Sequence, residues 1–162
     1  MNFPKLFEMQ SFLDQNIRLT QGIPVDKDLT EDKKDALDVE ISELQNEIKY
    51  FKFWKRPETR KVNREAALEE YVDGLHFFLS LGNDYQVPLE CGYREILVKD
   101  DLQGQFRIIK HYISIMNGPM HWHIAFGLYL GLAEMLGFSD EEIERKYLEK
   151  NTINHQRQAE GY

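Results

Sequence analysis

The sequence predicts an all-α fold, a single-domain helical bundle of five or six helices that spans residues 1–162. Apolar residues recur at spacings of three and four along several stretches, which is the period of an amphipathic helix. Start and stop signals separate these stretches, and only Glu95–Val98 is ambiguous between helix and strand. With 162 residues, 42% of them hydrophobic, the chain suits one core of moderate size.

Two amphipathic helices are predicted in the N-terminal third of the chain. The first opens at Pro4 and runs to about Leu19, before Gly22-Ile23-Pro24 interrupts the pattern. The second has Thr30 as its expected N-cap, followed by acidic residues that suit the positive end of the helix dipole. Its apolar stripe, which predicts one buried face, consists of Leu37, Ile41, Leu44, Ile48 and Phe51.

Further helices are predicted over about residues 63–81, 103–116, 120–136 and 140–158. Gly82-Asn83 is the expected stop of the first of these. The stretch 120–136 is apolar all round, which predicts a central helix. A capping box at Ser139–Glu142 marks the start of the last helix.

Composition and charge exclude several classes of function. The 20 basic and 28 acidic residues give a net charge of −8, which disfavours nucleic-acid binding as the main activity. The longest apolar stretch, Ile124–Phe138, is shorter than the about 20 residues of a membrane span and contains Glu134. The single cysteine, Cys91, cannot form an internal disulfide, which favours the reducing cytoplasm as the location.

Acidic residues form a pattern on the second and third predicted helices. Glu40, Glu43 and Glu47 share a narrow sector of the second helix, and Glu70 and Asp73 lie three residues apart on the third. Such acids are commonly solvated surface charges. They could equally form a carboxylate cage for a hard divalent cation, because oxygen ligands in this number suit Mg²⁺ or Mn²⁺.

The C-terminal segment places cations and amides on one face. On a helix, Lys150, Asn154 and Arg157 lie within a sector of roughly 60°, with Asn151 beside them. Lys and Arg donate to phosphate oxygens, and Asn can pair with a sugar hydroxyl. The same residues also fit a polar helix end, where cations interact favourably with the dipole. Together with the acids, they indicate a metal-assisted site for a polyphosphate.

Four segments resemble motifs of one enzyme family. They are Glu43–Glu47, Phe51–Lys55, Glu70–Phe77 and Lys150–Tyr162. In these segments the chain is similar to the dimeric, all-α dUTPases, members of the all-α NTP pyrophosphatase (MazG-like) superfamily. The resemblance runs from the region of Gln10 to the last residue, without a clear match over residues 82–136. It implies a homodimer that hydrolyses dUTP, and also dUDP, to dUMP, which keeps uracil out of DNA and supplies dUMP.

The resemblance also implies which residues carry out the reaction. The implied ligands of Mg²⁺, with Mn²⁺ as an alternative, are Glu40, Glu43, Glu70 and Asp73. Glu47 is a further ligand or hydrogen-bond acceptor. Either Glu40 or Glu43 orients the attacking water and takes its proton, so the implied catalytic residues are Glu40, Glu43 and Glu47.

For the substrate, the resemblance implies contacts along its whole length. Lys150, Arg157 and Tyr162 would hold phosphate oxygens, and Asn151 and Asn154 the phosphate or the 3′-hydroxyl. Phe77 would pack on the deoxyribose, while Gln10 and Trp54 would face the uracil, although Trp54 could equally be a core or dimer residue. Lys55 and His76 complete the implied substrate-binding set. Asp14 lies where the family pattern leads us to expect an amide.

Two alternatives remain open from the sequence. A related all-α pyrophosphatase acting on dCTP or another dNTP would share the metal site and differ only in the base pocket. A non-catalytic helical interaction module would use the acidic surface to bind a partner. The paired carboxylates on two helices favour an enzyme, because an interaction module does not need them.

Overall fold

The computed structural model describes residues 1–87 and 96–161 and confirms the predicted all-α fold. Its α-helices are α1 (Phe3–Thr20), α2 (Thr30–Ile48), α3 (Arg64–Asp84), α4 (Leu102–Ser114), α5 (Pro119–Leu136) and α6 (Asp140–Ala159), with a short 3₁₀ helix at Pro57–Thr59. The described residues contain no strand. Cys91, Glu95 and Tyr162, which the sequence analysis singled out, lie outside the described residues.

The helix ends agree with the predicted signals at some positions and differ at others. The capping box is confirmed, since the Ser139 side chain accepts a hydrogen bond from the backbone N–H of Glu142, whose own side chain accepts from the N–H of Ser139. Thr30 is not the N-cap of α2 as predicted. It is the first helical residue, and its N–H donates to the carboxylate of Asp28 at 2.8 Å.

Helix α3 continues past its predicted stop at Gly82-Asn83 and ends at Asp84. The glycine serves packing here, because a Cβ atom at Gly82 would lie 2.6 Å from the Phe7 ring and 2.9 Å from the Trp122 ring. A glycine inside a helix costs helix propensity, but it lets two large aromatic side chains approach the backbone. Gly82 is therefore explained by packing inside α3 and not by a helix stop.

Helix α3 occupies the central position of the bundle. It packs against α1, α2, α5 and α6. Helix α5, which was predicted to be central, is buried along residues 125–133; it packs against α3 and α4, and its Trp122 and Phe126 rings contact α1. The contact between α3 and α5 is close because Gly74 leaves room for the hydroxyl of Tyr129. The rings of Tyr71 and Tyr129 stack with centroids 4.3 Å apart, and each hydroxyl donates to the other residue's carbonyl oxygen.

The arrangement brings four helices together around one end of α3. Helices α2 and α3 form the most extensive pair, and α1 and α6 pack against α3 and against each other. Side chains from all four helices can therefore reach one cavity. None of the described helices combines the length and the apolar character needed to cross a bilayer.

Candidate active site

A cavity of about 450 Å³ lies between α1, α2, α3 and α6. Each helix contributes side chains to its wall, and eight of these were singled out from the sequence. They are Gln10, Glu40, Asp73, His76, Phe77, Lys150, Asn154 and Arg157. Residues that are distant in the sequence thus line one concave surface, which is where a small-molecule ligand binds in most proteins.

Three of the predicted metal ligands form a compact cluster. One carboxylate oxygen each from Glu40, Glu43 and Glu70 lies within 4.8 Å of the others. Glu43 is exposed, whereas Glu40 and Glu70 are half-buried. The spacing of Glu40 and Glu43 on α2 and the close packing of α2 against α3 bring these groups together. We call these three residues the carboxylate cluster.

The carboxylate cluster concentrates negative charge in a half-buried place. Burial, and then the charges of Asp73, Glu43 and Glu70, raise the pKa of Glu40 to about 7. Burial, followed by the charges of Glu43 and Asp73, also raises the pKa of Glu70 to about 7. Opposite charge placed among these groups would favour their ionised forms. The donor set, three carboxylates with hard oxygen atoms, fits Mg²⁺ or Mn²⁺.

Glu40 belongs both to the carboxylate cluster and to the wall of the cavity. Glu43 and Glu70 do not line the cavity, so Glu40 is the residue through which the two features meet. A ligand in the cavity therefore lies beside any cation that the cluster holds. Chemistry that needs a substrate and a divalent cation side by side can take place here.

Lys150 lies on helix α6 and lines the same cavity as Glu40. Its Nζ is 2.8 Å from Oδ2 of Asp73 and 2.9 Å from Oε1 of Glu69. Burial lowers the pKa of this amine, but the two carboxylates more than compensate and raise it above its ordinary value. Lys150 is therefore positively charged and held in place. Asp73 is paired with Lys150 and is not a member of the cluster.

A network of polar groups lies at the α1 side of the cavity. The side-chain oxygen of Gln10 accepts a hydrogen bond from the Tyr147 hydroxyl at 2.9 Å and lies 2.8 Å from Nδ1 of His76. The amide nitrogen of Gln10 donates to Asp14 at 2.8 Å, and Ser80 donates to the other oxygen of Asp14. Gln10 and His76 are thus held by fixed partners as well as lining the cavity.

The other predicted site residues that the structure describes lie outside both the cavity lining and the carboxylate cluster. Trp54 is 61% exposed and, like the exposed Lys55, does not line the cavity. Asn151 is buried without lining the cavity, and Glu47 lies 3.7 Å from Lys49, outside the carboxylate cluster. The structure does not describe Tyr162. The roles implied for these residues stay predictions.

Several cavity residues did not stand out in the sequence as binding residues. Asp14, Ser80 and Lys33 all line the cavity. One signal could have found two of them, since Asp14 follows Gln10 by four residues and Ser80 follows His76 by four. Each therefore shares a helix face with a residue already singled out. Lys33, 3.7 Å from Asp14, carries no comparable signal in the sequence.

One comparison with known proteins gives a match across the whole chain. The family model described as dUTPase matches residues 2–162, which includes every cavity residue and the whole carboxylate cluster. No curated protein matches the sequence significantly.

Proposed function

Because this chain belongs to the dUTPase family and is therefore a dUTP diphosphatase, we propose that it works with Mg²⁺ held at the carboxylate cluster and also accepts dUDP. One observation carries this proposal. Glu40 is common to the carboxylate cluster and to the cavity, so the phosphates of a bound nucleotide and a cation can meet at this side chain. The reaction converts dUTP to dUMP and pyrophosphate, which removes dUTP before it enters DNA and supplies dUMP.

The proposed ligands are the three members of the carboxylate cluster, with Asp73 as a further ligand. Burial and the neighbouring carboxylates raise the pKa values of Glu40 and Glu70, which supports this assignment because a cation would favour the ionised forms. A bound Mg²⁺ would offset negative charge on phosphate oxygens and lower the pKa of water. Mn²⁺ takes similar oxygen ligands and is the expected substitute.

In this proposal, residues of α2 act on the attacking water and residues of α6 bind the phosphates. Glu40 accepts a proton from the attacking water in its ionised form, which the charge of a cation at the cluster would favour over the neutral form. Glu43, on the same face of α2, orients that water. On the α6 side, Lys150 is a positioned cation for phosphate oxygens, and Asn154 and Arg157 lie on the same helix and line the cavity.

The far end of the cavity would take the sugar and the base. Phe77 lines the cavity and presents a half-buried ring, suited to packing on a deoxyribose. Gln10 and His76 supply polar atoms at the α1 side for a uracil. A pocket of fixed polar groups discriminates between bases because a mismatched base leaves those groups unpaired.

We also propose that the chain acts as a homodimer. The support is an exposed aromatic segment after α2, in which Phe53 is 85% and Trp54 61% exposed. Exposed large aromatic side chains are typical of protein interfaces. In a dimer, Trp54 and Lys55 would be available to a second copy of the chain. A shift of the Trp54→Ser variant from dimer to monomer in sedimentation velocity would support the proposal, and a monomeric wild type would contradict it.

The test is release of phosphate or pyrophosphate from dUTP, dUDP, dCTP, dTTP and UTP, each with Mg²⁺, with Mn²⁺ and with EDTA. We expect metal-dependent turnover of dUTP and dUDP, with UTP and dTTP poor substrates. Turnover of dUTP in EDTA would contradict the metal assignment. Faster turnover of dCTP than of dUTP would contradict the assignment of the base.

A further inference from the structure

We propose that Asp14 is a positioning residue for the base end of the cavity. Its carboxylate fixes the orientation of the Gln10 amide and, through Gln10, the tautomer of His76. This inference rests on the proposed function only in placing a base near His76. The contacts that carry it are the hydrogen bonds of Gln10 with Asp14, Tyr147 and His76.

The first step concerns Asp14 and Gln10. An ionised carboxylate can only accept hydrogen bonds, so the group of Gln10 that faces Oδ1 of Asp14, 2.8 Å away, must be the NH₂ group. Burial raises the pKa of Asp14, but Lys33, 3.7 Å away, and the hydrogen bonds from Ser80 and Gln10 favour its ionised form. The opposite orientation of the amide would place two acceptors against each other.

The second step concerns Gln10 and His76. With its NH₂ group toward Asp14, Gln10 presents its carbonyl oxygen to Tyr147 and to Nδ1 of His76, at 2.9 and 2.8 Å. Burial, and then the charge of Lys150, lower the pKa of His76 to about 3, so the ring is neutral and carries one N–H. That proton lies on Nδ1, because only a donor can face the carbonyl oxygen.

The third step concerns the other nitrogen of His76. In this tautomer Nε2 carries a lone pair, and it is buried with no hydrogen-bond partner among residues 1–87 and 96–161. His76 is 95% shielded from solvent and lines the cavity. A buried acceptor without a partner is unfavourable, so a ligand N–H that reaches it gains affinity. The imide N–H of a uracil ring is such a donor.

Replacing Asp14 by Asn keeps the shape of the side chain but should no longer fix the orientation of the Gln10 amide. An Asn side chain can present either oxygen or NH₂ to Gln10, so both orientations of the Gln10 amide become acceptable. When the amide turns over, its NH₂ group faces Nδ1 of His76 and the ring proton moves to Nε2. The cavity then presents a donor to the imide N–H, which is a mismatch.

The direct measurement is the ¹⁵N–¹H spectrum of the histidine rings in the full-length, metal-free protein, with His76 assigned from its loss in His76→Asn. We expect the Nδ1–H tautomer in the wild type and a population of the Nε2–H tautomer in Asp14→Asn. An Nε2–H tautomer in the wild type would overturn the proposal without any variant. This readout does not depend on turnover, so it is separate from failure of the proposed function.

Kinetics provide the second readout. We expect Asp14→Asn to raise KM for dUTP by about tenfold at nearly unchanged kcat, the size of one mismatched hydrogen bond. Inhibition by pyrophosphate, which has no base, should not change. The matched control is Asp84→Asn. Asp84 also lies close to Lys33, at 2.6 Å, but the hydrogen bond of the Gln10 amide goes to Asp14 and not to Asp84. Equal effects of the two variants on KM, or an unchanged His76 tautomer in Asp14→Asn, would contradict the proposal.

Discussion

Two acidic side chains close to the packing of α3 against α6 behave in opposite ways. Glu142, at the start of α6, receives two hydrogen bonds from Arg64 at 2.7 and 2.9 Å, and these, with the N–H of Ser139, lower its pKa to about 2. Glu70, six residues beyond Arg64 on α3, is half-buried beside Glu43, and its pKa is raised to about 7.

The two regions share helix α3, but one contributes to structure and the other is a candidate functional site. At the start of α3, Arg64 and Glu142 form a two-point ion pair, which joins the first turns of α3 and α6. At the carboxylate cluster, like charges are crowded in a half-buried place, which costs stability in the absence of a cation. Groups that are unfavourable for folding cluster at functional sites. We therefore expect the carboxylate cluster to bind metal ions.

The largest effect is expected from Glu43→Gln. Glu43 is exposed and makes no hydrogen bond or ion pair with residues 1–87 and 96–161, so the change should not disturb the fold. Because it removes one charged ligand, we expect kcat/KM for dUTP with Mg²⁺ to fall by about 100-fold or more. Steady-state assays of pyrophosphate release measure this.

A control on the same helix is Asp38→Asn, at the pair that Asp38 forms with Lys110 at 3.1 Å. Exposed ion pairs contribute little to stability, and this one lies outside the cavity, so activity should stay within about twofold of the wild type. Equal losses in Asp38→Asn and Glu43→Gln would indicate a general charge effect and contradict a specific cluster.

The second effect is a gain in stability from Glu40→Gln in metal-free protein. The pKa of Glu40 is about 7 in the folded chain against an ordinary value of 4.5. The folded state favours the protonated form of Glu40. The free energy of unfolding that this provides is therefore fully present below about pH 4.5 and is lost as the pH rises through 7. Thermal unfolding in EDTA should show the variant with the higher Tm at pH 8 and little difference at pH 4.5.

Addition of Mg²⁺ at pH 8 should affect the Tm of the wild type and of Glu40→Gln differently. A cation that binds only the folded state raises the Tm of the wild type and should raise that of Glu40→Gln much less. A lower Tm for Glu40→Gln at pH 8 in EDTA would contradict the view that the cluster is crowded.

The smallest effect is expected at the paired end, from Glu142→Gln. Because the folded-state pKa of Glu142 is lowered, the stability it provides is present above about pH 4.5 and is lost as pH falls through about 2. The variant should have a slightly lower Tm at pH 7, and its difference from the wild type should narrow below pH 4. Activity should be unchanged. A higher Tm for the variant at pH 7 would contradict the assignment.

The helices could be predicted from the sequence because local signals specify them. The apolar stripe of α2, the capping box before α6 and the interruption after α1 all act within a few residues. The last predicted member of the stripe, Phe51, is an exception, because α2 ends at Ile48 and Phe51 is exposed. Gly82 shows where such reasoning fails. A glycine is typical of a helix stop, but Gly82 lies inside α3. There it leaves room for the rings of Phe7 and Trp122, which are both distant in the sequence.

The candidate site could be predicted as a set of residue types but not as a geometry. Spacing alone placed Glu40 and Glu43 on one face, and the structure adds Glu70 from α3. The ion pair between Asp73 and Lys150 depends on how α6 packs against α3, which no local pattern encodes. Two partners of Gln10, His76 and Tyr147, lie on other helices and could be found only once these were assembled.

Mn²⁺ binding measured by electron paramagnetic resonance tests most directly whether the carboxylate cluster holds a metal ion. Free Mn²⁺ would be titrated against wild type, Glu43→Gln and Glu142→Gln, all prepared without metal. We expect the wild type and Glu142→Gln to bind Mn²⁺ equally and Glu43→Gln to bind it at least about tenfold more weakly. Equal binding by all three proteins would show that the carboxylate cluster is not the metal site.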